Sequence, residues 1–300
     1  MAIALKGDFI GFSFNEHRSE SLGIVRVSDG SRYNEDLVPT TQDKTVQVPG
    51  GDGFYYFGSD YTQRQFSINI AFDELTEKQF RELQQVFGTK ELGKLVFDER
   101  PYKYYMVKSG KPQLKYICFG KEGERIYKGE GTLTFTAYYP FAKSIFKFLN
   151  EYGNKNKDEW KEASGMKAEK GTYDIVSNNG SISVYNAGDL ETDFILKFDL
   201  PIDNTSISDI KITLSKENVG KVEAFLDLKG FSKKNTDTGF QINTKTNLIE
   251  GFNAEGLTGT LYNENITQGD FFKIPPREEG YRISVTGATP IEIAYDYIYY

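Results

Sequence analysis

Two stretches, RQFSINIAFD at 64–73 and GTLTFTAYYP at 131–140, place an apolar residue at every second position. That period belongs to a pleated strand with one face on a core and does not fit a helix. In the first, Phe66, Ile68, Ile70 and Phe72 share one face, while Ser67, Asn69 and Ala71 take the other. In the second, Leu133, Phe135, Ala137 and Tyr139 face one way, and Thr132, Thr134 and Thr136 the other. Pro140 has no amide hydrogen for a ladder, so the strand stops there or continues as an edge. The aromatic content agrees: 23 Phe and 20 Tyr suit half-buried pleated surfaces.

One helix is predicted, in LTEKQFRELQQVFG at 75–88. Thr76 is a good N-cap, and Gln79 three residues on can bond back to it in a capping box. Leu75 before the cap and Phe80 in the first turn can form the hydrophobic staple. Phe80, Leu83 and Phe87 then make one stripe. Gly88 fits the left-handed position that closes a helix.

Two further stretches of the first half are punctuated by glycine. Gly50, Gly51 and Gly53 lie between extended segments in DKTVQVPGGDGFYYFG and read as a turn or loop. A phosphate-binding loop would need a strand before it, a helix after it and another glycine spacing. Residues 104–108 and 114–119 flank Ser109, Gly110, Lys111 and Pro112, and read as a hairpin. Two placements stay open for it: flat on a sheet, or protruding as an arm.

From 150 to 171 the chain carries five Lys and five acidic residues with few branched aliphatics. This reads as a linker with at most a helical turn near Trp160, whose ring serves either as a binding platform or in packing on a neighbouring domain. Beyond it, strand-like runs recur at intervals of about 8–12 residues between Gly, Asn and Asp, the spacing of a β-sandwich. The last run places Ile291, Ile293, Tyr295, Tyr297 and Tyr299 on one face. The expected class is mainly β, in three parts: 1–145, a linker at 146–171, and a sandwich at 172–300.

No constellation of chemistry emerges. His17, the single histidine, lies in a polar, loop-like stretch and reads as a surface residue. Cys118, the single cysteine, has apolar neighbours in KYICFG and reads as a small buried hydrophobe. With one of each, a zinc site would need two or more carboxylates. Asp98 and Glu99 look like a solvated turn before Pro101. Asp203, Asn204 and Asp209 do not match a calcium loop. Asn204 and Asn265 fit glycosylation acceptors, which carry no meaning without a secretion signal. Carboxylates are plentiful, so a glycosidase pair is not excluded by counts. No catalytic residue, metal or cofactor is expected.

The net charge of −7 opposes a role gripping nucleic acid through its phosphates, which calls for a basic surface. No run approaches the ~18 apolar residues that span a bilayer, so membrane insertion is not expected. A lone cysteine allows no internal disulfide, and AIALKGDFIG does not read as a signal peptide, so synthesis in a cytoplasm is expected.

Taken in order, the pieces resemble one family, the distal tail proteins of long-tailed bacteriophages. GFSFNEHRSESLGIVRVSDGSRYN is similar to the family's opening, and VPGGDGFYYFG with RQFSINIAF to its glycine loop and strand. The helix, VFDERPYKYYMV and TLTFTAYYPFAKS follow in the family's order. SVYNAGDLETDFILKF and FFKIPPREEGYRISVTGATPIEIAYDYIYY resemble its C-terminal sandwich. The resemblance implies a ring of six copies at the tail tip. Residues 1–145 would build the ring from a β-sandwich, one helix and a hairpin arm that reaches a neighbour. Residues 172–300 would form a galectin-like sandwich on the outside. The implied partners are the tail tube protein, a tail-associated lysin or baseplate protein, and a receptor-binding protein. Members with an inserted carbohydrate-binding module are longer, and this chain has no room for the insert. A structural, non-enzymatic role in the virion tail is the leading expectation. A glycan-binding sandwich is the alternative, and a two-carboxylate glycan hydrolase a third reading.

Overall fold

A computed structural model describes residues 11–27, 38–121, 124–145, 148–150, 173–176, 179–199, 208–216, 219–232, 237–253, 256, 258–276 and 280–300. The chain divides into two compact units, 1–145 with Tyr300, and 146–299. Both are mainly β. Trp160, Asp203 and Asn204 lie outside the described residues.

The first unit runs β1 (Phe12–Phe14), β2 (His17–Arg18), β3 (Ile24–Arg26), β4 (Thr41–Val46), β5 (Tyr55–Tyr61), β6 (Arg64–Thr76), α1 (Glu77–Phe87), β7 (Leu92–Phe97), β8 (Lys103–Ser109), β9 (Gln113–Phe119), β10 (Ile126–Ala137) and β11 (Ala142–Ser144). Its main sheet has the order β2-β1-β7-β8-β10-β6-β3. The two alternating stretches read from the sequence are β6 and β10, and they pair antiparallel with Phe66 opposite Phe135 and Ile68 opposite Leu133. All four are buried. The sheet curls, so that Phe14 of β1 lies 5.2 Å from Phe135 although two strands separate β1 from β10. Phe87 of α1 stacks on Phe14 at 5.8 Å and closes the same core. Burying each such ring contributes about 1.5–3 kcal/mol. Tyr139, expected on the inner face, is exposed, because β10 ends at Ala137, ahead of a buried Pro140.

The helix starts as its sequence dictates. Thr76 is extended and accepts from the Gln79 amide, while the Gln79 side chain accepts from the Thr76 amide at 3.0 Å. Leu75 and Phe80 are both buried, as the staple requires. The C-terminus differs from expectation. Gly88 has φ −85° and ψ 2°, outside the left-handed region, and its amide still reaches Gln84 O at 2.8 Å. Glycine is needed there for space, since a Cβ would sit 2.5 Å from that carbonyl oxygen.

The hairpin expected around Ser109–Pro112 is not one. β8 and β9 run in the same direction along one edge of β10: Ser109 lies opposite Phe135, and Gln113 opposite Thr132. Four steps on one strand against three on the other make a one-residue bulge. Gly110 donates to Thr134 O at 2.7 Å, and a Cβ there would lie 2.3 Å from Thr134 Oγ1. Glycine and proline serve a bulge as readily as a turn, and β10, 12 residues long, offers a partner on both sides of the break. The hairpin that forms joins β9 to β10, with Phe119 opposite Ile126.

The second unit contains β12 (Phe148–Asn150), β13 (Tyr173–Val176), β14 (Asn179–Val184), β15 (Phe194–Asp199), β16 (Ser208–Lys216), β17 (Val222–Phe231), β18 (Gly239–Asn243), β19 (Leu248–Phe252), β20 (Thr258–Leu261), β21 (Ile266–Gly269), β22 (Tyr281–Thr286), β23 (Thr289–Tyr295) and β24 (Ile298–Tyr299). Two six-stranded sheets result, ordered β12-β23-β15-β18-β19-β20 and β13-β14-β22-β16-β17-β21. Phe198 and Phe240 from the first meet Phe231 from the second, and Tyr262 stacks on Phe231 at 4.8 Å. The two sheets therefore face each other as a sandwich across an aromatic core. Within the segment expected as linker, residues 148–150 form β12, paired with β23, and 151–171 lie outside the described residues. Ile293, Tyr295, Tyr297 and Tyr299 are buried, but Ile291 is exposed. A bulge between Lys197 and Phe198 sets Phe198 opposite Pro290 and turns Ile291 outward.

Candidate assembly surfaces

The residue types that carry chemistry are dispersed. His17 is exposed on β2, at the rim of a groove of about 1180 Å³ beside α1, whose lining includes Glu77, Arg81, Glu124 and Arg125. Within that groove, Arg81 donates to Glu77 at 3.1 Å and Tyr127 donates its hydroxyl to the other Glu77 oxygen. Cys118 does not line it; it is exposed on β9, contrary to the expectation of a buried thiol. The reason lies in β9 itself, an edge strand whose residues face solvent almost throughout. Asp98 accepts from the Gly11 amide at 2.9 Å, and Glu99 pairs with Arg26 at 2.7 Å. Asp98 thus ties the end of β7 to the start of β1, and Glu99 ties the turn after β7 to the end of β3. Asp209 accepts from the Gly230 amide, and Asn265 donates to Lys229 O and Gly230 O. Among the described residues, no group of three or more His, Cys, Asp or Glu is arranged to hold a metal, and no helix is long and apolar enough to cross a membrane.

What the first unit does present is apolar surface. β4 and β5 form a two-stranded sheet of their own, joined to no third strand among the described residues. Every residue of β4 is exposed, and so is every residue of β5 except Gly58. Phe54, Tyr55, Tyr56 and Phe57 are 63–68% exposed. Lys44 pairs with Asp60 at 2.6 Å, and Ser59 donates to Asp43 at 2.5 Å, so the ribbon is held together by polar contacts across its strands. Its root is fixed by Thr62 donating to Thr40 O and by Tyr61 set edge-on to Phe141 at 5.0 Å. A two-stranded ribbon alone is marginal in water, and exposed aromatic clusters of this kind mark contact surfaces.

The second surface is β9. It pairs with β10 on one edge, and its other edge has no strand among the described residues. Ile117 is 64% exposed, with Tyr116 and Phe119 about half exposed. Such an edge is a template for strand addition. The glycine turn read at 50–53 between extended segments is the tip of β4–β5, whereas the hairpin read at 104–119, for which an arm was one of two open placements, does not form.

Residues 23–137 match the sequence profile of the phage tail protein RIFT-related domain. Comparison with curated protein sequences gives no match. Among solved structures, the chain is similar to SPP1 Dit (gp 19.1), described as a paradigm of the hub adsorption apparatus in phages infecting Gram-positive bacteria. The TM-score is 0.59 at 12% identity, covering 97% of this chain and 99% of that one. Two structures of the phage P2 baseplate in its activated conformation, with Ca and with Sr, align at TM-scores of 0.45 and 0.44 and 10% identity. They cover 96% of this chain and 98% and 97% of theirs. Residues 23–137 thus match a phage tail protein RIFT-related domain, on a chain that has the fold of SPP1 Dit.

Proposed function

We propose that this protein is a structural component of a phage-type tail tip, a ring of six copies that joins the tail tube to the baseplate or receptor-binding apparatus. The observation that carries the reading is the exposed aromatic arm, β4–β5, on the tail-protein domain. A closed ring needs two different patches per copy, each engaging the other on the next copy. The arm and the β9 edge are two such patches on one unit. The second unit then serves as an outer docking module. Its sheets bury or half-bury their aromatics: among its described residues Phe225 is the one exposed aromatic, at 37%, and the Lys211 ammonium sits over its ring at 5.0 Å. That distribution favours assembly over a sugar-stacking face.

Light scattering and electron microscopy test the proposal. The expected particle has six times the 34.1 kDa of one copy and a ring outline. Persistence at the mass of one copy, alone and with a tail tube protein present, would overturn it.

A further inference from the structure

The arm and the β9 edge differ in charge as well as shape. Residues 40–62 carry Asp43, Asp52 and Asp60 against Lys44. Residues 111–121 carry Lys111, Lys115 and Lys121, all exposed, and no acidic residue. Both β5 and β9 are seven residues long, and each has one edge with no strand beside it among the described residues. We propose that β5 of one copy adds to the open edge of β9 on the next copy, making a continuous sheet across the contact. This rests on the ring reading and names its contact.

Main-chain hydrogen bonds supply the affinity of a strand addition, and the side chains beside them set the choice of partner. Tyr55, Tyr56 and Phe57 then lie against Tyr116, Ile117 and Phe119, the cross-strand pairing of aromatic and branched residues that stabilises sheets. The lysines reject a second β9, whose like charges would stand directly opposite, and accept the acidic arm. β5 is assigned the contact because β4, TQDKTV, offers polar side chains where β5 offers rings.

The single cysteine makes the test direct, since Cys118 is exposed on β9. Paired strands bring facing Cα atoms to about 4.5–5.5 Å, within disulfide reach. We would introduce Tyr55→Cys, Phe57→Cys and Ser59→Cys one at a time and oxidise mildly. The expected result is a ladder of covalent oligomers on a non-reducing gel from one of these positions, lost when Cys118→Ser is added. Lys111→Glu with Lys115→Glu and Lys121→Glu should cut the ladder by about tenfold or more, and Asp43→Lys with Asp52→Lys and Asp60→Lys should restore it. Oligomers by light scattering but no ladder from any variant would overturn this contact and leave the ring standing. Covalent dimers of the unaltered chain through Cys118 would overturn it in favour of β9 self-pairing. A single-copy mass throughout would overturn both contact and ring.

Discussion

The hydroxyl of Tyr127 on β10 donates to the carboxylate of Glu77, the first residue of α1, while its ring stacks on Phe80 at 4.4 Å. One side chain thus fixes the start of the helix to the sheet by its polar tip and its apolar face together. The negative charge of Glu77 at a helix N-terminus is favourable in its own right.

That contact gives the first unit a pH dependence with two limbs. The Glu77 hydrogen bond pushes the Tyr127 hydroxyl up to about 12 from its ordinary 10.0. The unfolded chain therefore loses this proton first, so the contribution is complete below about pH 10 and falls as pH rises toward 12. The Tyr127 hydroxyl, aided by Arg81, holds the Glu77 carboxyl below its usual 4.5. Its contribution is present above that value and fades as pH falls through the lowered one. Tyr127→Phe should flatten the alkaline limb and shrink the acid limb, read by thermal melts across pH 3–12 at intervals of about one unit. An unchanged alkaline slope would show that the contact does not govern it.

Gly131→Ala should loosen β9. A Cβ at Gly131 would meet Gln113 O at 2.3 Å and Leu114 Cδ2 at 2.7 Å, and the first is backbone that has little room to yield. A loss of about 1–3 kcal/mol in chemical denaturation is expected, with faster hydrogen exchange confined to 113–119. Uniform exchange across the unit would contradict the local picture.

Asn186→Ala should destabilise the second unit by about 1–3 kcal/mol, because buried backbone groups lose their partners. The buried amide of Asn186 donates to Leu190 O at 2.8 Å and Ile274 O at 3.0 Å and accepts from the Gly188 amide at 2.9 Å. The denaturation midpoint measures this, and a change below about 0.5 kcal/mol would mean that water replaces the amide without cost.

Replacing Tyr55, Tyr56 and Phe57 together by serine should leave the single-copy fold within about 0.5 kcal/mol, because all three rings stand in solvent. On the proposed ring reading, assembly should disappear at concentrations where the parent chain is expected to form it. Melting and scattering on one sample separate the two effects, and a large loss of stability would place the arm inside the fold of its own chain.

What could be read from the chain follows from how local the cause is. The capping box at Thr76 and Gln79 depends on four consecutive residues, and the inner faces of β6 and β10 on alternation alone, so both were legible. The partner of a strand is not local. Ser109, Gly110, Lys111 and Pro112 look the same in a turn and in a bulge, and the length of β10 decides between them. Exposure of Cys118 follows from that same pairing, because apolar neighbours in sequence do not reveal that β9 is an edge. The outward Ile291 depends on a bulge in which Phe198 faces Pro290, a register that no window of sequence displays. Of the exposed aromatic ribbon, the run of rings in β5 was visible and its projection was not, since FYYF could equally have lined a core.

The bulge at Gly110 has a mechanical meaning. β8 lies at the centre of the sheet with every second side chain sealed inside, and β9, the same run of backbone beyond the bulge, hangs at the fringe. No reversal separates the two, so a pull on β9 along its axis travels down covalent bonds into the middle of the domain. There it meets the ladders of β7 and β10 in shear, where the hydrogen bonds must yield together rather than unzip one by one.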